Sequence, residues 1–478
     1  MSTFKNENVT RLTVNEKESI EIAMRAIDNG ALGIAFIIDD NGKFVGLVTD
    51  GDVRRAILQG VQIESPIRQI METSPIVIQG KLTEEKLLEL QNSEAVKSRP
   101  GVGYTLKIPV LDSESKIRDI MLFPPEGKNI SMLSEHGSRD WRPVKKVLVI
   151  GNAGYSGTIL TRKLLSRGYL VNGLDNLLYG DHGLRELYGK EGFNFIEGDI
   201  RDIKVLMEAT EGCDAAILLA AIVGDPSCEL DPEETISINY LATKMVAEVC
   251  KYCQINRMIF VSTCSVYGAS EKPGALLNEN SLLSPVSLYA EMKLKSEKSI
   301  IEAMDDNFSP TIFRPGTLYG LSPRMRFDLV LNILTAKATI DGEITIFGGN
   351  QWRPLLHVED VVEAYIKCLE APIEKVRGQY FNVGANQQNY KISELANILK
   401  EVFPDLKINY REDAVDERNY SVDFNKIGKV LDYRAEKTVQ DGIREIKQAL
   451  ETGIIGDYTD KIHSNYESLS EQFNTFNV

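Results

Sequence analysis

The stretch Lys145–Asn176, KKVLVIGNAGYSGTILTRKLLSRGYLVNGLDN, leaves a chain few ways to fold. Val147–Ile150 is an unbroken apolar run, suited to a strand buried on both faces. Gly151, Gly154 and Gly157 follow at once, then Leu160, Leu164 and Leu165 at helical spacing. YLVNGLD predicts a second strand that ends in Asp175. Strand, glycine turn, helix and a second strand closed by an acid make a βαβ unit suited to a dinucleotide. Glycines let the backbone approach a pyrophosphate at the helix N-terminus, and the acid accepts hydrogen bonds from the adenosine ribose. The spacing is G-x-x-G-x-x-G rather than the common G-x-G-x-x-G, so the flanking strand and acid carry the assignment. A carboxylate at Asp175 repels a 2′-phosphate, and NAD is expected over NADP.

The alternation continues. FNFIEGDI, AAILLAAI, RMIFVST and PTIFRPG each offer a strand, with helical patterns between them. Strands alternating with helices predict an α/β fold with a doubly wound, mostly parallel sheet, whose ligands sit outside the carboxyl ends of the strands. RMIFVST ends at Thr263, so its hydroxyl is expected to face that crevice. In SPVSLYAEMKLKSEKSI, Tyr289 and Lys293 are four residues apart and share a helical face. A nearby ammonium stabilises the phenolate and makes it a base for a hydroxyl proton. Thr263, Tyr289 and Lys293 are the candidate catalytic set, for hydride chemistry between an alcohol and a ketone.

The C-terminal part is less regular and offers arginines: Arg324 and Arg326 in GLSPRMRFD, Arg353 in NQWRPLL, and Arg418 in DERNY. Guanidinium forks suit a diphosphate. His357 in PLLHVED has no partner at metal-ligand spacing and reads as a packed histidine, so no metal site is expected. Cys250 and Cys253 form a C-x-x-C inside a helical run, with no second pair, and read as core.

At 478 residues the chain exceeds one ordinary core. Residues 124–144, from PPEGKNISMLSEHGSRDWRP onward, show no apolar period and read as a linker. The net charge of -15 argues against nucleic acid or an anionic membrane, whose phosphates call for basic patches. The N-terminus MSTFKNENVT has no leader-like apolar core and no run reaches membrane-spanning length; with six scattered cysteines, a reducing cytoplasm is expected.

Before the linker, AFIIDDNGKFVGLVTDGDVRRAIL predicts a hairpin turned by Asp40-Asn41-Gly42 and then a helix. IRQIMETSPIVI and KIPVLDSESKIRDIML echo it, so residues 1–123 read as two imperfect copies of one α/β unit. This region resembles a tandem pair of CBS domains, the Bateman module. Gly46-x-x-Thr49-x-x-Asp52 then implies one adenine-nucleotide site, with Thr49 toward phosphate and Asp52 toward the ribose hydroxyls; the second copy has DSESKIRD instead. The residue types alone favour a plainer reading, in which Thr49 and Asp52 cap the following helix.

The larger part also carries a resemblance. Gly151/Gly154/Gly157, Asp175-Asn176, GDIRD at 198–202, LLAAI, STCSVYG, Tyr289-x-x-x-Lys293 and FRPGTLYG occur in order. Residues 145–450 thus resemble an extended short-chain dehydrogenase/reductase of the nucleotide-sugar epimerase and dehydratase group. The resemblance implies a Rossmann sheet, a small substrate subdomain mainly over 317–450, and a tail over 451–478. It implies that NAD is held by Gly151, Gly154, Tyr155, Ser156, Gly157, Asp175, Asn176, Asp199, Ile200, Leu219, Ala220 and Ala221, with Tyr289 and Lys293. It gives Thr263 the place of the hydroxyl that bonds the reacting sugar, and sets Arg353 and Arg418 on phosphate. Thr317 stands where the group has an Asn toward substrate. The group's 4,6-dehydratases carry Asp-Glu directly after the Thr, whereas this chain has Cys264 and Ser265. The expectation is therefore an NAD-dependent nucleotide-sugar 4-epimerase, working through a transient 4-keto sugar as a homodimer or tetramer. A dehydratase with Asp225 as substitute acid, a 4-keto-sugar reductase and an idle nucleotide sensor are the alternatives.

Overall fold

The computed structural model describes residues 7–30, 32–80, 90, 106–123, 131–132, 144–269, 274–305, 308–412 and 418–476. The chain divides into two compact units, Met1–Pro143 with Asp305–Asn307, and Val144–Met304 with Phe308–Val478.

In the smaller unit, Thr13–Asn15 pairs in parallel with Ile34–Ile38, which turns back antiparallel into Phe44–Thr49. The second half repeats this topology. Ile78–Gln79 pairs in parallel with Leu106–Leu111, which turns back into Ile117–Phe123. The two hairpin turns match bond for bond. The Asp39 carboxylate accepts from the N–H groups of Asn41 and Lys43, and Asp112 from those of Glu114 and Lys116. Gly42 and Ser115 take the left-handed residue of each turn, at φ 75° and 64°. Side chains of both halves, among them Phe36, Ile120 and Leu122, share one core. Part of the expected linker is a strand: Ser131–Met132 pairs with Met121–Leu122. The rest of 124–143 lies outside the described residues.

The larger unit is built on seven parallel strands. In spatial order they are Phe193–Glu197, Leu170–Asp175, Lys146–Ile150, Ala215–Leu218, Arg257–Val261, Ser309–Pro315 and Tyr380–Val383. Period-two alternation sends Val147 and Val149 into one core, and Leu148 and Ile150 into the other. Helices Gly157–Ser166 and Val358–Glu370 cover the first face, while Thr243–Tyr252 and Leu288–Glu302 cover the second. The strand order reverses beside Lys146–Ile150, which places the ligand crevice there.

A smaller core of Leu331, Ile344, Leu355, Leu395, Leu399 and Ile443 holds the C-terminal subdomain together. The segment after residue 450, expected as a tail, folds onto this unit. Its helix Asn465–Phe476 packs on Asp225–Leu230 and inserts Leu469 into the sheet's second core. Among the described residues, no helix is long and apolar enough to cross a membrane.

Candidate active site

The glycine turn leaves Ile150 at the strand end and reverses at once. Gly151 has φ 88°, and a Cβ there would lie 2.6 Å from the Ala220 nitrogen. A Cβ on Gly157 would lie 2.2 Å from the Gly151 carbonyl, so the third glycine lets helix and strand meet rather than facing the cavity. Ser156 gives its helix no side-chain cap; the Thr158 N–H donates to the Gly154 carbonyl at 3.1 Å, and the rest of the helix start is left for an anion. At the next strand end, Asp175 accepts from the Ala153 and Leu177 N–H groups, each at 2.9 Å. Burial raises its pKa. Close-packed glycines, an uncapped helix N-terminus and an anchored acid on one rim fit a dinucleotide.

One cavity runs along the carboxyl ends of the strands. Gly151, Gly154, Tyr155, Ser156, Asp175, Asn176, Asp199, Ile200, Leu219, Ala220 and Ala221 all line it. So do Thr263, Tyr289, Lys293, Thr317, Arg324, Arg326 and Arg418. Gly157 and Arg353 do not.

Ser287 starts the Tyr289 helix, with its hydroxyl capping the Ala290 N–H. The same hydroxyl donates to Asp225 Oδ1 at 2.8 Å. Tyr289 lines the same cavity as Thr263, and burial raises its pKa. Lys293 donates to the Val261 carbonyl at 2.8 Å, and burial lowers its pKa to about 8. The expected lowering of the tyrosine pKa by Lys293 is therefore corrected for the protein alone: desolvation is the larger influence on both groups.

The four arginines divide. Arg326 is paired with Asp328, at 2.7 Å and 3.0 Å. Arg418 reaches Asp225 Oδ2 at 3.0 Å. Arg324 lies at the Asp175 end, over the Tyr179 ring. Arg353 donates to the carbonyls of Trp352 and Arg418, with Tyr420 under its guanidinium. His357 is fully buried; its Nδ1 accepts the Glu359 N–H, and its Nε2 lies 2.6 Å from Glu445 Oε1. It is thus packed against its neighbours, and among the described residues no group of three or more His, Cys, Asp or Glu side chains could hold a metal.

Sequence reasoning missed Asn239 and Asn465. Asn239 is buried and bonds both the N–H and the carbonyl of Ile222, fixing the loop that follows Leu219–Ala221. Asn465 lines the cavity from the C-terminal helix, and no motif marks it. In the smaller unit Thr49 and Asp52 form a reciprocal cap on Asp50–Leu58, and Arg55 pairs with the Asp52 carboxylate.

Residues 147–384 match the NAD dependent epimerase/dehydratase family, and residues 7–59 match the CBS domain. Protein CapI of Staphylococcus aureus is 27% identical, over 63% of this chain and 96% of its own. The uncharacterized UDP-glucose epimerase YtcB of Bacillus subtilis is 28% identical, over 62% of this chain and 95% of its own. Among solved structures, the UDP-glucuronic acid 4-epimerase of Bacillus cereus, in complex with UDP-glucuronic acid and NAD, superposes with a TM-score of 0.58. It is 25% identical and the match covers 64% of this chain and 99% of that one.

Proposed function

The chain is an NAD-dependent enzyme of the epimerase/dehydratase kind with an N-terminal CBS domain, and from that premise we propose that it is a nucleotide-sugar 4-epimerase. The observation that carries this reading is the fate of the two side chains after Thr263. Cys264 is 1% exposed and donates its thiol proton to the Arg314 carbonyl at 3.1 Å, away from the cavity. Ser265 lines the cavity, with its hydroxyl 3.2 Å from Tyr420 Oη. Neither is an acid–base group at neutral pH, and burial pushes the Cys264 thiol up. Elimination of water has no carboxylate pair at this place.

Epimerisation needs less. Tyr289 takes the proton of the sugar's C4 hydroxyl and returns it, while Thr263 orients that hydroxyl. NAD, when bound, supplies a hydride acceptor that is regenerated within the turnover. Lys293 brings an ammonium to the same wall, and Thr317, Arg326 and Arg418 face the nucleotide-sugar. The named UDP-sugar relatives make UDP-sugars the first substrates to test.

Asp225 favours a second reading. It lines the same cavity and its charge reaches Tyr289, as a substitute dehydratase acid would require. Its carboxylate, however, is engaged by both Ser287 and Arg418. Incubation with UDP-, GDP-, CDP- and dTDP-sugars, without added cofactor and followed by NMR, separates the two. A C4 epimer supports the proposal, and a 4-keto-6-deoxy product overturns it.

The CBS part is proposed to bind an adenine nucleotide at Thr49 and Asp52. What supports this is the match of residues 7–59 to the CBS domain, with both side chains at the N-terminus of the Asp50–Leu58 helix.

A further inference from the structure

Five neighbouring polar side chains, of which Tyr179, Arg324 and Asn465 line the cavity, have buried atoms with no hydrogen-bond partner among the described residues: Tyr179 Oη, His182 Nε2, Arg324 Nε and Nη2, His463 Nδ1 and Asn465 Oδ1. They come from three segments: the loop after Leu170–Asp175, the loop after Thr317–Tyr319, and the start of the C-terminal helix. Arg324 is 1% exposed and Asn465 is 2% exposed, and both line the cavity with Tyr179. The Arg324 guanidinium lies 4.6 Å from the Tyr179 ring centroid. Its charge acts on both imidazoles, and the imidazoles act on each other.

The fold fixes this cluster from both sides. Ser322 accepts the Arg324 N–H and donates at 2.7 Å to the Tyr155 carbonyl, which roots the arginine loop on the glycine turn. The Phe327 N–H donates to the His463 carbonyl at 2.8 Å, and the two rings meet edge-on. The C-terminal segment is thereby stitched to the same loop.

A buried guanidinium lacking a charged partner is unfavourable, and a bound anion would offset that cost. One guanidinium, two imidazoles and a phenol are donors suited to phosphate. We propose that this cluster holds a phosphate group of the bound dinucleotide, and that His463 and Asn465 make the C-terminal segment the outer wall of the cofactor site. The inference rests on reading the cavity as a dinucleotide site.

The test uses the full chain freed of endogenous nucleotide. NADH and NADPH are titrated by nicotinamide fluorescence and UDP by calorimetry, on wild type, Arg324→Met, Arg324→Lys and the double variant His463→Ala/Asn465→Ala. Arg324→Met should weaken NADH by about tenfold or more, Arg324→Lys should recover part, and the double variant should also weaken it. The melting temperature of unliganded Arg324→Met should not fall, because an unpaired buried charge has been removed. Equal losses for NADH and NADPH place the diphosphate in the cluster and uphold the pocket, whereas a loss confined to NADPH leaves NADH binding intact and overturns it. Unchanged dinucleotide affinity in both the Arg324→Met and double variants, or a loss for UDP alone, overturns it. A wild-type chain that binds neither dinucleotide removes the underlying reading, and this pocket with it.

Discussion

Lys293 Nζ donates a hydrogen bond to the Val261 carbonyl at 2.8 Å, tying the lysine one turn after Tyr289 to the strand end that leads into Thr263. The helix that carries Tyr289 and the strand that leads into Thr263 are thus joined through the lysine itself. Lys293 is 3% exposed, and its ammonium stands 4.8 Å from the Phe260 ring centroid.

Burial lowers the Lys293 pKa to about 8 from 10.5, with a consequence for stability. Between those values the unfolded chain holds the proton and the folded chain has lost it, so this group's contribution to stability rises with pH across that window. Unliganded Lys293→Met should be more stable than wild type near pH 7, and the gap should narrow by about pH 9.5. Urea denaturation of both proteins at the two pH values checks this. A gap that stays constant would place Lys293 in a more hydrated setting.

Tyr289→Phe should fold and bind NADH as wild type does, but lose turnover by about two to four orders of magnitude, since the proton acceptor is gone. NMR of the sugar products reads turnover, and nicotinamide fluorescence reads binding. Near-normal turnover would remove Tyr289 from the catalytic set.

Beneath the site, Arg314 makes a two-pronged pair with Glu297, at 2.9 Å and 2.6 Å, and its guanidinium lies against Tyr267 and Tyr380. Glu297 also accepts from Ser262, the neighbour of Thr263. Glu297→Gln should cost about 3 kcal/mol in urea denaturation, because Arg314 is left charged and buried. Glu297→Leu with Arg314→Met should recover most of that loss. If the double variant were the less stable of the two, the pair would be contributing stability in its own right.

With NAD present to occupy the cavity beside the glycine turn, AMP, ADP or ATP should bind at one site per chain, and Asp52→Ala should abolish it. The same change removes half of the reciprocal cap with Thr49, at a cost of about 1 kcal/mol. Calorimetry measures the binding, and the melting temperature reports the cap separately. An Asp52→Ala chain with wild-type affinity would leave Thr49 and Asp52 as a cap alone.

Much of this protein is local in origin. The apolar run at Val147–Ile150, the glycines after it and the Ser287 cap each act within a few residues, so pattern alone places the strands, the turn and the Tyr289 helix. The catalytic and cofactor candidates were legible for the same reason: they sit at strand ends and on one helical face. Which way a side chain turns was not legible. Cys264 and Ser265 are neighbours, yet one enters the core and the other meets the cavity, because Thr263 caps the tight turn between them and the strand. The arginines look alike in sequence. Arg326 takes the carboxylate of Asp328, two residues on, whereas only packing set Arg418 on Asp225, drew Arg353 off the cavity and left Arg324 beside the glycine turn. The C-terminal segment shows the limit most clearly. His463 and Asn465 carry no motif and come to Arg324 from far along the chain, so their meeting is decided by tertiary packing, where a buried contact depends on both partners and neither one encodes it alone.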